Sequence, residues 1–285
     1  MTGPRVGLRA PAGPAELYLD LMKKSLTRYL FLDEEVQELA GWGWRRKAYE
    51  PVRAGLARLG LILVRPGPGD RSMRARGEGW PGHAETMVGL RRLDNVQHCV
   101  TEVLRDAIPG DLIETGVWRG GTTIFMRAVL AAYGDADRTV WVADSFRGFP
   151  VPDPAHYPAG AHIDVDFPWL RVSREQVAAN FARYGLLDGR VRFLEGWFKD
   201  TLPHAPIERL SVVRLDGDLY ESTMDAIAAL YPKLSVGGFL IVDDYGCIEE
   251  CRRAITDYRT AHGITETIET IDWTGVFWRK EHASP

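Results

Sequence analysis

The sequence predicts an α/β fold: a mostly parallel sheet with helices on both faces, finished by an antiparallel hairpin at the C-terminus. Three features of the chain predict it. After Pro81, short apolar runs rich in β-branched residues alternate with amphipathic segments, the texture of strands buried on both faces. Glycines cluster where the first of those strands meets its helix, in Glu114-Thr115-Gly116-Val117-Trp118-Arg119-Gly120-Gly121-Thr122. The tail pairs ITETIETID with GVFWRK around Trp273-Thr274-Gly275, a short turn with glycine last.

Residues 1–14 are rich in Gly, Pro and Arg and read as a mobile start. From Ala15 the leucines Leu17, Leu21 and Leu26 recur at helical intervals, and a second amphipathic stretch runs from Val52 to Leu63. RPGPGDRSMRARGEGWPG, residues 65–82, reads as an irregular, solvated connector. A helical segment from Thr86 to Ile108 then leads into strand DLIETG, followed by a helix from Thr122 to Tyr133 and strand TVWVAD at 139–144. Beyond a long loop come helix 173–184, strands 190–196 and 210–218, helix 222–231, strand 238–244 and helix 247–261. The expected division is an N-terminal helical extension and connector, 1–82, and a cofactor-binding domain, 83–285.

Composition narrows the function. Lys+Arg 35 against Asp+Glu 39 leaves a net charge of −4, which disfavours a broad nucleic-acid surface. A hydrophobic content of 45% excludes wholesale disorder. Three cysteines (Cys99, Cys247 and Cys251) cannot form a closed disulfide set and offer too few ligands for zinc, so a reducing compartment is expected. The charged first thirty residues lack a signal-peptide core, and no run is apolar enough to span a membrane. The expected location is the cytoplasm.

Three motifs carry chemistry. The spacing Gly116, Gly120, Gly121 departs from the dinucleotide fingerprint and suits S-adenosylmethionine, whose ammonium Glu114 could face; a plain strand–turn–helix corner is the structural alternative. Asp144, followed by Ser145, ends the second parallel strand, where a carboxylate can accept from ribose hydroxyls; a turn cap is the alternative. Glu195-Gly196-Trp197 ends the next strand, with Trp197 either on adenine or serving as an apolar lid. The third motif is acidic: Asp216 and Asp218 after LSVVRL, then Asp243 and Asp244 after GFLIV. Both pairs fall on the carboxyl edge, where open α/β sheets bind ligands. Close carboxylates repel unless a cation sits among them, and oxygen ligation favours magnesium, calcium or manganese. Capping of the following helices would account for one aspartate per helix, not two.

The chain resembles the macrocin O-methyltransferase family (TylF/MycF type) from about Tyr18 to Arg279. The likeness rests on YLDLMKKSLT, ETMVGLRRLDNVQHC, ETGVWRGGT, ADSFRGFP, FLEGWFKDTLP, RLDGDLYESTMDA, LYPKLSVGGFLIVDDYG and TGVFWR. It implies a class I methyltransferase sheet, Rossmann-like, and an S-adenosylmethionine- and Mg2+-dependent methylation of deoxysugar hydroxyls on glycosylated natural products such as antibiotics, with Mn2+ as a possible substitute. It implies Asp216, Asp243 and Asp244 as metal ligands. Around the cofactor it implies Glu114, Gly116, Gly120, Thr122, Asp144, Ser145, Gly196, Trp197 and Asp216, with Thr86-Met87-Val88 as a cover. It also implies a homodimer or higher homo-oligomer with the N-terminal helices at the contact. Residues 1–14 and 65–82 carry no family motif, and the loop 151–172 does not align.

An in-line methyl transfer then requires alignment of the acceptor and a base. Asp216 and Asp218 are near, but a metal-bound carboxylate is a weak base; His156 and His162, in the loop 151–172, are better matched, and the resemblance favours His162. That proline-rich loop is expected to fold over the acceptor, with Tyr157, Phe167 and Trp169 as apolar surface. The same acids would equally serve a catechol-type phenol methyltransferase, which only the family motifs disfavour.

Overall fold

A computed structural model describes residues 13–34, 36–38, 44–66, 70–78, 82–150 and 168–283. Helix α1 (Pro14–Leu26) opens with proline, whose fixed φ suits a first turn. Its buried face of Leu19, Met22 and Leu26 joins the same core as Val96 and Phe125. Part of the 1–82 segment is thus packed into the body of the protein. Helix α2 (Trp44–Ala57) lies earlier than the Val52–Leu63 stretch expected. Gly60 ends it: φ is 71° there, and Gly60 and Leu61 donate back to the carbonyls of Ala57 and Leu56.

The connector 65–82 is more ordered than its composition suggests. Strand β1 (Val36–Glu38) pairs antiparallel with β2 (Val64–Pro66). Helix α3 (Arg71–Arg76) follows, its start capped by the Asp70 carboxylate, which accepts from the backbone N–H of Ser72 (2.8 Å) and Met73 (3.1 Å). Its buried residue is Arg74, so no apolar periodicity announces it. Helix α4 (Leu90–Arg105) is shorter than the Thr86–Ile108 segment expected, because residues 82–88 form a bent strap that is neither helix nor strand.

The main sheet is built from β3 (Asp111–Thr115), β4 (Val140–Asp144), β5 (Val191–Glu195), β6 (Leu210–Leu215) and β7 (Leu234–Val242), closed by β8 (Glu269–Thr270) and β9 (Val276–Arg279). Their order is β5-β4-β3-β6-β7-β9-β8. The first five are parallel, and β9 runs antiparallel to both β7 and β8. Helices α5 (Gly121–Ala132), α6 (Arg174–Arg183), the short α7 (Phe198–Thr201), α8 (Tyr220–Leu230) and α9 (Glu249–Ala261) complete the connections. One apolar core lies between the sheet and α1, α4, α5 and α6; a second lies on the opposite face against α8 and α9.

Backbone pairing continues one residue beyond the strands. Gly116 donates to Ala143, Gly196 to Asp144, Asp216 to Thr115 and Asp243 to Leu215, each at 2.9 Å. The motif residues of four strands are therefore set side by side at one sheet edge. Among the described residues, no helix is long and apolar enough to cross a membrane.

Candidate active site

A cavity of about 590 Å³ opens at that carboxyl edge, bordered by Met87, Gly116, Asp144, Trp197, Asp216 and Asp218. Ser145 and Gly196 also line it. Gly116 is required by geometry. Its φ is 81°, and a Cβ there would stand 1.7 Å from the carbonyl oxygen of Asp216. Gly116→Ala is expected to lower stability by about 2–4 kcal/mol through strain and backbone displacement. Urea denaturation checks this; a loss below about 0.5 kcal/mol would show that the β3 and β6 ends are not locked together.

Asp144 holds the first wall. Its Oδ2 accepts from the N–H of Val117 and its Oδ1 from that of Phe146, both at 2.8 Å. Oδ1 also accepts from Ser145 Oγ at 3.5 Å. Burial pushes its carboxyl up, while these N–H donors pull it down. Met87 reaches the cavity; Thr86 and Val88 are buried beside it, and Thr86 Oγ1 lies 3.2 Å from Thr122 Oγ1. Gly120 starts α5 with φ of 84°, and the space of its missing side chain is taken by Val177. Neither Gly120 nor Thr122 is among the residues that line the cavity.

Glu114 corrects one expectation. It does not face the cavity: it is 1% exposed, pairs with Arg214 Nη1 at 2.5 Å, and accepts from Thr123 Oγ1. Burial pushes its carboxyl up to about 7 despite the pull of Arg214. Glu114 and Arg214 are directly opposite in the β3–β6 register, so strand pairing, rather than a ligand, dictates the contact.

The acids that follow β6 and β7 divide in two. One oxygen each of Asp216, Asp218 and Asp244 come within 4.8 Å of one another. Asp218 holds a left-handed backbone, φ 56°, uncommon for a residue with a side chain. Asp244 Oδ2 is sealed from solvent without a hydrogen-bond partner. Burial, and next the Asp216 charge, push Asp218 up to about 7; burial, and next the Asp218 and Asp216 charges, push Asp244 well up. Asp216 moves up as well, through burial and the Asp243 charge. Capping does not account for these residues. Helices α8 and α9 start at Leu219 and Ile248 with no side-chain cap. Close, partly orphaned carboxylates are a hard oxygen set suited to a divalent cation.

Asp243, expected among the ligands, is turned elsewhere. Its two oxygens accept from two buried guanidiniums, Oδ1 from Arg214 and Oδ2 from Arg92. Burial works against its charge, yet both arginines hold its carboxyl below the usual range. Asp218 takes its place in the cluster. The sequence did carry a signal for this: an arginine inside the apolar strand LSVVRL needs buried anions. His162 and His156 lie outside the described residues, as do Tyr157 and Phe167. Trp169 is described; its carbonyl accepts from Trp118 Nε1 at 3.0 Å, beside the cavity.

The family model for Macrocin-O-methyltransferase (TylF) matches residues 15–280. The chain belongs to this family. Among its members, the 8-demethyl-8-(2,3-dimethoxy-alpha-L-rhamnosyl)-tetracenomycin-C 4'-O-methyltransferase of Streptomyces olivaceus is 52% identical over 276 residues, 94% of each chain. The mycinamicin III 3''-O-methyltransferase of Micromonospora griseorubida is 46% identical over 95% of this chain and 99% of its own. The solved structure of the O-methyltransferase NovP superposes with a TM-score of 0.79 at 43% identity, covering 94% of this chain and 100% of that one. CalS11, a calicheamicin methyltransferase, shares the fold at 17% identity and a TM-score of 0.54. The sheet order and antiparallel C-terminal strands of this family member are those of class I methyltransferases.

Proposed function

We propose that the protein transfers the methyl group of S-adenosylmethionine to a deoxysugar hydroxyl of a glycosylated natural product in an antibiotic pathway, with Mg2+ or Mn2+ at the acid cluster. The observation that carries this is the approach of one oxygen each of Asp216, Asp218 and Asp244 to within 4.8 Å of one another, beside a cavity lined by Asp144, Asp216 and Asp218. The acceptor class is supported by the relatives, one named for a rhamnosyl 4' position and another for a 3'' position of a mycinamicin.

Asp144 and Ser145 are the groups we assign to the ribose hydroxyls, with Trp197 against adenine and Met87, Gly116 and Gly196 as walls. Asp216 and Asp244 are the carboxylates assigned to the cation. When bound, the cation supplies Lewis acidity that lowers the pKa of the acceptor hydroxyl. Asp218, which lines the cavity and is left out of the cation's ligands, receives the acceptor's proton at a carboxylate oxygen. Its neighbour Gly217 also lines the cavity, and the turn into α8 follows directly. His162 is the rival base, from the loop 151–172.

The test uses labelled S-adenosylmethionine with a panel of rhamnosylated polyketides and of catechols, with and without EDTA. Glycosides are expected to be methylated and EDTA to stop the reaction. Transfer to catechols alone, or full activity in EDTA, would overturn the assignment. Asp218→Asn is expected to lower kcat by about 10²–10⁴-fold, and His162→Ala by less than about tenfold. The reverse order would return the base to the loop.

A further inference from the structure

The strap 82–88 belongs to neither a helix nor a strand, yet its residues Ala84, Glu85, Thr86 and Val88 are buried. A buried segment without a ladder must place its carbonyls elsewhere. One guanidinium takes three of them. Arg74, 4% exposed on α3, donates from Nη2 to Thr86 O (3.0 Å) and Val88 O (2.7 Å), and from Nη1 to Met87 O (3.0 Å). Its Nε donates to Thr27 O at the end of α1, 2.9 Å away.

The strap is tied from the other side by the glycine-rich turn. Arg119 Nη1 donates to Gly82 O (2.9 Å) and Ala84 O (2.8 Å), and the Gly121 N–H donates to Glu85 O at 2.9 Å. A Cβ on Gly121 would stand 2.5 Å from that same oxygen, so the two segments touch backbone to backbone. Between these ties Met87 emerges into the cavity.

We infer, on the cofactor reading proposed above, that Arg74 is a positioning residue for S-adenosylmethionine: it fixes residues 86–88 so that Met87 stands as a preformed wall of the cofactor cavity. Only a planar group with five donors can serve three successive carbonyls and a fourth from another helix; an ammonium cannot span them. The residue lies in the connector whose composition suggested a solvated basic loop.

Arg74→Lys and Arg74→Met are measured by calorimetry with S-adenosylhomocysteine and with Mg2+ alone, and by amide hydrogen exchange of the 84–90 segment. Both variants are expected to bind S-adenosylhomocysteine at least about tenfold more weakly, with the segment exchanging faster, because a small misplacement of a binding wall is amplified. Mg2+ affinity is expected to be unchanged, which a general loss of structure would not allow. Parental S-adenosylhomocysteine affinity in the variants, or weakened binding with parental exchange, would overturn the inference alone. No binding by the parent protein would overturn the cofactor reading and the inference with it. Should neither variant fold, the parent's exchange decides. Protection of 84–88 before S-adenosylhomocysteine is added is expected; protection appearing only afterwards overturns a preformed wall.

Discussion

Arg214→Met is expected to cost about 3–5 kcal/mol of folding stability and to abolish methyl transfer, the range seen when one partner of a buried ion pair is removed. Arg214 is 1% exposed at the next-to-last position of β6, and its guanidinium serves three carboxylates. Nη1 donates to Glu114 (2.5 Å) and Asp216 (2.7 Å), and Nη2 donates to Asp243. The effect reaches further through Arg92, which bonds Asp243 and, at 3.1 Å, Asp272. Asp272 in turn accepts from the N–H of Thr274 and Gly275, and Thr274 Oγ1 donates to the Asp243 carbonyl at 2.9 Å. The turn before β9 and the ends of β3, β6 and β7 are thus one polar unit. Without Arg214, Glu114 and Asp216 lose their guanidinium and must take up protons to stay buried, while Asp243 keeps Arg92. The folded pKa values of Glu114 and Asp216, already above the ordinary carboxylate value, then rise further, so the variant is least unstable in acid and loses stability as pH rises. Arg214→Lys keeps the charge but not the reach, and is expected to fall between. Urea denaturation at pH 5.5 and 8 checks both statements; a loss below about 1 kcal/mol at pH 8 would mean that the network does not support the fold.

That network also marks the limit of what could be read from residues alone. The sheet was legible because strands buried on both faces are short apolar runs, as in TVWVAD and GFLIV, and acids at strand ends are visible as punctuation. Which acids converge was not legible. Asp243 and Asp244 are adjacent in sequence, and their division depends on where Arg92, 151 residues away, places its guanidinium. Glu114 was assigned to a ligand by its distance from a glycine, although its partner across the strands was already written into LSVVRL. Helix α3 escaped notice for the same reason: its inward residue is Arg74, and polar side chains that serve backbone carbonyls leave no hydrophobic period.

Addition of 10 mM Mg2+ is expected to raise the melting temperature strongly at pH 8 and barely at pH 5.5. Two guanidiniums face six carboxyls in the joined network and acid cluster, an excess of four negative charges if all are ionised. The metal-free protein relieves this with protons. Glu114 and Asp218 are raised to about 7, and Asp244 and Asp216 are also raised. A raised folded pKa contributes stability that is complete below the unfolded value, about 4, and is lost as pH climbs through the folded value. Asp243 has the opposite sign: its depressed pKa contributes stability above about 4 that is lost only in stronger acid. The raised groups outnumber it, so metal-free stability is expected to decline between about pH 4.5 and 7. A divalent cation needs those carboxylates ionised and competes with the protons that hold them. At a concentration 100 times its Kd, it would add about 2.7 kcal/mol, or roughly 5–10 °C for a domain of this size. At pH 5.5 much of that gain goes to displacing protons. Calorimetry in buffers of different ionisation enthalpy should register the released protons directly. A melting gain independent of pH, or none at pH 8, would separate the acid cluster from any cation and leave its paired carboxylates to be explained by the arginines alone.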